Sequence, residues 1–221
     1  MKKVLSLFSL LFVVLTAYPA DIDSEESKEK TLIHCGNLIY AKSKSSVCFA
    51  DRFLTRVATE TNLNAAKKFT PVKLGSDDLF KIPITVFSGE GAFQLTEKER
   101  ENFKKYLELG GFVIASPGCS NDEWDMAFRK EIKTMFGDRL KKIQMTHEIF
   151  SMVYKVPRLT LSHGGTTLLE GISIDGRLVL VYSKDGLNDI RHAKGCCCCG
   201  GDQVNECERV NVNIFTYALL Y

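Results

Sequence analysis

Several signatures that would commit this chain to a chemistry are missing. The glycine pair in "GEGAF" is followed by neither the G-x-G-x-x-G spacing nor a Lys-Ser or Lys-Thr, so it does not make a phosphate loop. The longest apolar run, residues 4–15, is shorter than the roughly 18 residues a spanning helix needs. There is no internal repeat and no long low-complexity linker. A one-sided charge is also lacking. The chain has 29 Lys+Arg against 27 Asp+Glu, and two of the lysines, Lys2 and Lys3, lie in the first 20 residues. The rest is balanced, with both signs interspersed, which gives no electrostatic case for nucleic acid or an anionic membrane.

What is present begins with a secretory pattern. "MKKVLSLFSLLFVVLTAYPA" has a basic start, an apolar run of signal length and small residues at its end. Residues 1–20 are therefore expected to be a signal peptide cleaved after Ala20, and 21–30 a polar leader ("SEESKEK"). Residues 31–221 form a single domain. No cysteine ends the apolar run to offer a lipid attachment point. The expected location is periplasmic or secreted, with membrane attachment only if the segment stays uncleaved.

The remaining 31–221 reads as alternating strands and helices. Strands are expected at 31–40, 69–74, 82–87, 112–116 and 140–145. Two more are joined at Asp175-Gly176, a hairpin turn pair expected to add antiparallel edge strands. "IPITVF" and "FVIAS" are unbroken apolar runs, as strands buried on both faces should be, and are expected side by side and parallel. Helices are expected at 47–61, with Phe49, Phe53 and Val57 on one face, then after the Thr96/Glu99 capping box and in "NDEWDMAFRKEIKTMFG". A closing helix is favoured for "VNVNIFTYALLY". This rhythm implies an α/β fold, a mostly parallel sheet with helices on both faces. Ligands on such sheets bind beyond the carboxyl ends of the strands. Here those segments are "SGEGAF", "SPGCSND", "MTHEIF" and "SKDGLNDIRHAKGCCCC".

Eight cysteines populate the part beyond the signal: Cys35, Cys48, Cys119, the quartet Cys196 to Cys199, and Cys207. In an oxidising compartment thiols pair or hold metal. Adjacent Cα atoms stand about 3.8 Å apart, below the usual disulfide range, so the quartet needs distant partners. Cys196 and Cys199 have the C-x-x-C spacing that suits two thiolates on one ion. The candidate metal set is Cys196, Cys199, Cys119, Cys207 and His147, the metal being zinc or another thiophilic ion. Cys119 stands where a nucleophile elbow belongs, but Pro117 and Asn121 replace the flanking glycines. His34 is expected to be satisfied inside the first strand by a backbone partner, and His163 and His192 are weaker candidates than His147.

"FADRFLTRVATETNL", "IPITVFSGEGAFQLTEKERENFKKYLELGGFVIAS", "EWDMAFRKEI", "HEIF" and "VNVNIFTYALLY" together resemble the bacterial domain of unknown function DUF4159, in that order and over most of 31–221. The resemblance implies a flavodoxin-like sandwich, similar to class I glutamine amidotransferases, and an exported or membrane-associated protein. It brings no activity. The amidotransferase G-x-C-x-G elbow and late H-x-E pair are not in this sequence. The reading leans away from an enzyme. It is of a non-catalytic binding or interaction domain with a cysteine-rich rim, meeting a protein or small ligand of the cell envelope. Two alternatives stay open: a thiol-dependent oxidoreductase or hydrolase using Cys119 or the Cys196/Cys199 pair, and a disulfide-stapled scaffold.

Overall fold

The computed structural model describes residues 32–42, 44–45, 48–192, 194 and 201–221. The expected signal segment and leader lie outside the described residues, and so does the quartet with Cys196 and Cys199. In chain order the strands are β1 (Ile33–Ile39), β2 (Ala65–Lys73), β3 (Ile84–Gly89), β4 (Phe112–Pro117), β5 (Lys141–Lys142), β6 (Leu159–Thr160), β7 (Thr166–Thr167), β8 (Glu170–Ile174) and β9 (Arg177–Tyr182). The helices are α1 (Arg52–Glu60), α2 (Glu97–Glu108), α3 (Asp122–Phe136) and α4 (Cys207–Leu220). Among the described residues no helix is long and apolar enough to cross a membrane.

Seven strands form one sheet in the order β2-β1-β3-β4-β9-β8-β5, while β6 and β7 pair separately. The first five are all parallel. Taken in chain order, they run 2-1-3-4-5, the doubly wound flavodoxin-like order. β3 and β4 are parallel neighbours, Ile84 opposite Phe112 and Val86 opposite Ile114, as their sequences predict. Every residue of both is buried, so side chains on each face meet a core. Val86 and Ile114 point toward Phe53, Val57, Ile214 and Phe215 of α1 and α4. Phe87 and Ala115 point toward Phe103 of α2 and Trp124, Phe128 and Ile132 of α3.

Local signals explain the element ends. Thr96 and Glu99 close the capping box of α2 in both directions. Asn121 caps α3 by accepting from Trp124 N, and Gly137 ends it at φ 63°. The Asp175-Gly176 turn has φ 51° and 82°, the left-handed pair of a type I′ hairpin.

The structure corrects several expectations. The hairpin does not lie wholly at the edge: β9 pairs in parallel with β4, inside the sheet, and only β8 and β5 extend it antiparallel. The apolar run of β9 requires this, since Leu178 to Tyr182 are all buried. The strand expected at 140–145 shrinks to Lys141–Lys142, two exposed residues with little apolar surface to bury. The first helix starts at Arg52 rather than near residue 47, which leaves Cys48 in the loop ahead of it. His34 is paired with the side chain of Thr70, 3.1 Å away across β1 and β2, not with backbone.

Candidate functional site

The chain turns from one side of the sheet to the other between β1 and β3, and open α/β sheets bind ligands at such a switch point. Polar ties hold the loops there. Beyond β1, Tyr40 and Lys44 exchange both backbone hydrogen bonds around Ala41 and Lys42, which take left-handed φ of 45° and 77°. Lys44 Nζ then reaches across to the carbonyls of Glu90 and Ala92, at 3.1 and 2.8 Å. Trp124 Nε1 donates to Tyr40 Oη at 2.6 Å, and Tyr40 Oη donates to Ser88 O. Gly89 is obligatory at this crossing, because a Cβ there would lie 2.0 Å from Tyr40 Oη.

A buried amide staples the strand ends. Asn188, fully buried after β9, donates to Ser88 Oγ at 3.3 Å and to Pro117 O at 3.2 Å. The backbone carbonyl of Asn188 accepts from Ala50 N, drawing the Cys48 loop inward. Asn121 serves twice, since its side-chain oxygen accepts from Gly91 N as well as from Trp124 N.

Three donors converge on this rim. Cys48 follows β1, Glu90 follows β3 and Cys119 follows β4. Their ligand atoms all lie within 4.8 Å of one another. Cys48 Sγ donates to Glu90 Oε1 at 3.3 Å, and the same oxygen is 3.6 Å from Cys119 Sγ. Cys48 is buried, Cys119 half-buried and Glu90 exposed, so the group opens outward through the carboxylate. Gly118 makes room for it: a Cβ there would come within 3.0 Å of Glu90 Oε1.

Cys119 and Ser120 occupy consecutive left-handed conformations, φ 54° and 52°. Such backbone costs on the order of 1–3 kcal/mol per residue and persists only when its surroundings dictate it. Here the chain that follows the quartet does so. Ser120 Oγ donates to Asp202 O, and Gly201 packs so closely that a Cβ on it would stand 2.2 Å from Cys119 O.

The other predicted ligands lie apart from this group. His147 caps a short turn, accepting from Ile149 N at 3.2 Å, and its ring meets Tyr217 edge-on at 5.4 Å. It follows β5, three strands along from β4, a separation of roughly 14 Å at about 4.8 Å per strand. Cys207 opens α4 and accepts from Gln203 Nε2 at 3.4 Å. Burial pushes its thiol up to about 12. It lines a cavity of about 420 Å³ with Ser162, His163, Asp189, His192 and Gln203. Two imidazoles there are oriented by carboxylates: His192 Nδ1 is 2.8 Å from Asp189 Oδ1, and His163 Nδ1 is 3.1 Å from Asp202 Oδ1.

Two residues of the rim group escaped the sequence reading. Cys48 was hidden by a helix drawn too early, and Glu90 by testing "GEGAF" only as a phosphate loop. A positional signal finds Glu90, which directly follows Gly89 at the carboxyl end of β3, whereas Cys48 stands nine residues beyond Ile39, past Lys42 and Lys44, and has no such signal.

A family model described as "Domain of unknown function (DUF4159)" matches residues 36–219. A search of curated proteins gave no match.

Proposed function

The chain belongs to the DUF4159 family, and from that premise we propose that it is an exported binding domain whose rim holds one thiophilic cation, zinc by preference. The observation that carries this is the convergence of Cys48, Glu90 and Cys119 within 4.8 Å. Two sulfurs and a carboxylate are a donor set that suits zinc. Donors on a tetrahedral zinc stand roughly 3.8 Å apart at Zn–S distances of about 2.3 Å, so small side-chain rotations close the group around an ion. Both sulfurs must be thiolates. Cys119 is disulfide-bonded in the oxidised protein of this reading, so the site forms on reduction. A fourth ligand would come from Cys196 or Cys199, which lie outside the described residues. His147 and Cys207 have no part in this ion's shell. Export rests on the basic and apolar start of the chain, and a cell-envelope protein or small molecule is the partner that the bound cation would meet.

Zinc titration of the reduced full-length protein tests the reading. One zinc per chain is expected, with affinity reduced about 100-fold or more in Cys48→Ser, since one ligand of four is lost. Equal zinc uptake by wild type and Cys48→Ser would overturn it.

A further inference from the structure

Cys48 and Cys119 stand in unequal positions around one carboxylate. Cys48 is reduced and only 4% exposed. Cys119 is half-buried and sits at the tip of the left-handed turn. Their sulfurs lie within 4.8 Å of each other, and Glu90 Oε1 touches both, at 3.3 and 3.6 Å. An outside disulfide can therefore reach the sulfur of Cys119 more readily than that of Cys48, while Cys48 can reach Cys119 from within by a side-chain rotation.

We infer that the pair is a thiol–disulfide exchange centre, in which Cys119 forms the mixed disulfide with an outside sulfur compound and Cys48 resolves it with Glu90 as proton acceptor. The inference uses the same three residues as the cation site but does not depend on a cation. In the first step the Cys119 thiolate attacks a substrate disulfide. A Cys119–substrate S–S bond forms, the substrate S–S bond breaks, and one substrate sulfur leaves as thiolate. In the second step Cys48 passes its proton to Glu90 Oε1, along the contact already present, and its thiolate attacks Cys119 Sγ. The Cys48–Cys119 bond forms, the mixed disulfide breaks, and the second substrate sulfur leaves and takes up the proton from Glu90. Two electrons pass from the protein dithiol to the substrate disulfide. A substrate dithiol drives the same steps in reverse and restores the thiols. Cys119 is disulfide-bonded in the oxidised protein, so the cycle starts only once that bond has been reduced.

The test uses the full-length protein, reduced, freed of reductant and held in a chelator. It is mixed with an equimolar aromatic disulfide, a dithiobis-nitrobenzoate. Samples are acid-quenched, alkylated, digested and mapped by mass spectrometry. In wild type, the aryl adduct on Cys119 should appear first and give way to a Cys48–Cys119 cross-link. In Cys48→Ser the adduct should persist. In Glu90→Gln, whose side chain is exposed and whose fold is not at risk, the cross-link should form about 100-fold more slowly, the scale of a general base. Repeating the experiment with glutathione disulfide and with a folded protein bearing an exposed disulfide tells a small substrate from a protein one. An adduct on Cys119 that lasts equally long in wild type and Cys48→Ser overturns the inference. An unchanged rate in Glu90→Gln overturns the role of Glu90. With the cation chelated throughout, a failed zinc titration leaves this result standing, and a failed cross-link leaves the zinc result standing.

Discussion

The middle of the sheet and its carboxyl rim are built from the same strands and treat a thiol in opposite ways. Cys35, in the middle of β1, is fully buried among Ile84, Phe53 and Ala65, and desolvation drives its pKa well above the ordinary thiol range. Cys48, beyond the end of the same strand, is almost as buried, yet its sulfur meets a carboxylate and a second sulfur. Burial alone thus makes an inert thiol. Position along the strand supplies the partners that make a chemical one, because the strand ends are where loops from three separate strands converge.

The contrast is most severely broken from the interior. Trp124 is fully buried, stacks on Phe128 at 5.1 Å and ties Tyr40 to the rim through its indole N–H. Trp124→Ala should cost about 3–5 kcal/mol, read from urea unfolding, and should loosen the rim with it. If the loss stays below about 1 kcal/mol, core and rim are not joined through this residue.

Gly201→Ala attacks the rim directly. Its new methyl has to displace Cys119 O or its own backbone, at about 1–3 kcal/mol. Thermal unfolding should show that loss, and zinc uptake should fall with it. Unchanged zinc binding would mean that the left-handed turn at Cys119 holds without the chain that follows the quartet.

Alkaline titration sharpens the comparison more gently. Burial raises the Cys207 thiol from its ordinary 9.0 to about 12. The unfolded chain therefore releases this proton first. Its contribution to stability is complete below pH 9 and is lost as the pH rises toward about 12. Cys207→Ala should show a shallower fall in stability over that window, and an identical slope would contradict the assigned cause.

The smallest stability effect belongs to the residue with the largest proposed chemical role. Glu90 is exposed, so Glu90→Gln should change unfolding free energy by less than about 0.5 kcal/mol while weakening zinc binding. A large stability loss would instead make this carboxylate part of the scaffold.

Much of the fold was legible in the sequence because its signals are local. The capping box at Thr96 and Glu99, the Asp175-Gly176 turn and the apolar runs of β3 and β4 each act within a few residues, and all appear as read. The sheet position of β9 was not legible. Its apolar run was visible, but a hairpin motif says nothing about which neighbour its second strand takes. The start of α1 was misplaced because Phe49 continues the spacing of Phe53 and Val57, although Phe49 packs from the loop. That one misplacement concealed Cys48.

By itself, then, the sequence determined the α/β class, the parallel pairing of β3 with β4, and the end of the sheet where chemistry should lie. These follow from periodicity, capping and the handed connection between strands, all properties of short stretches. Only the tertiary structure decided which side chains meet there. Cys48, Glu90 and Cys119 are far apart in sequence and become neighbours because β1, β3 and β4 lie side by side at the switch point. His147 comes five residues after β5, and two further strands, β9 and β8, stand between β4 and β5 and keep it away from that group.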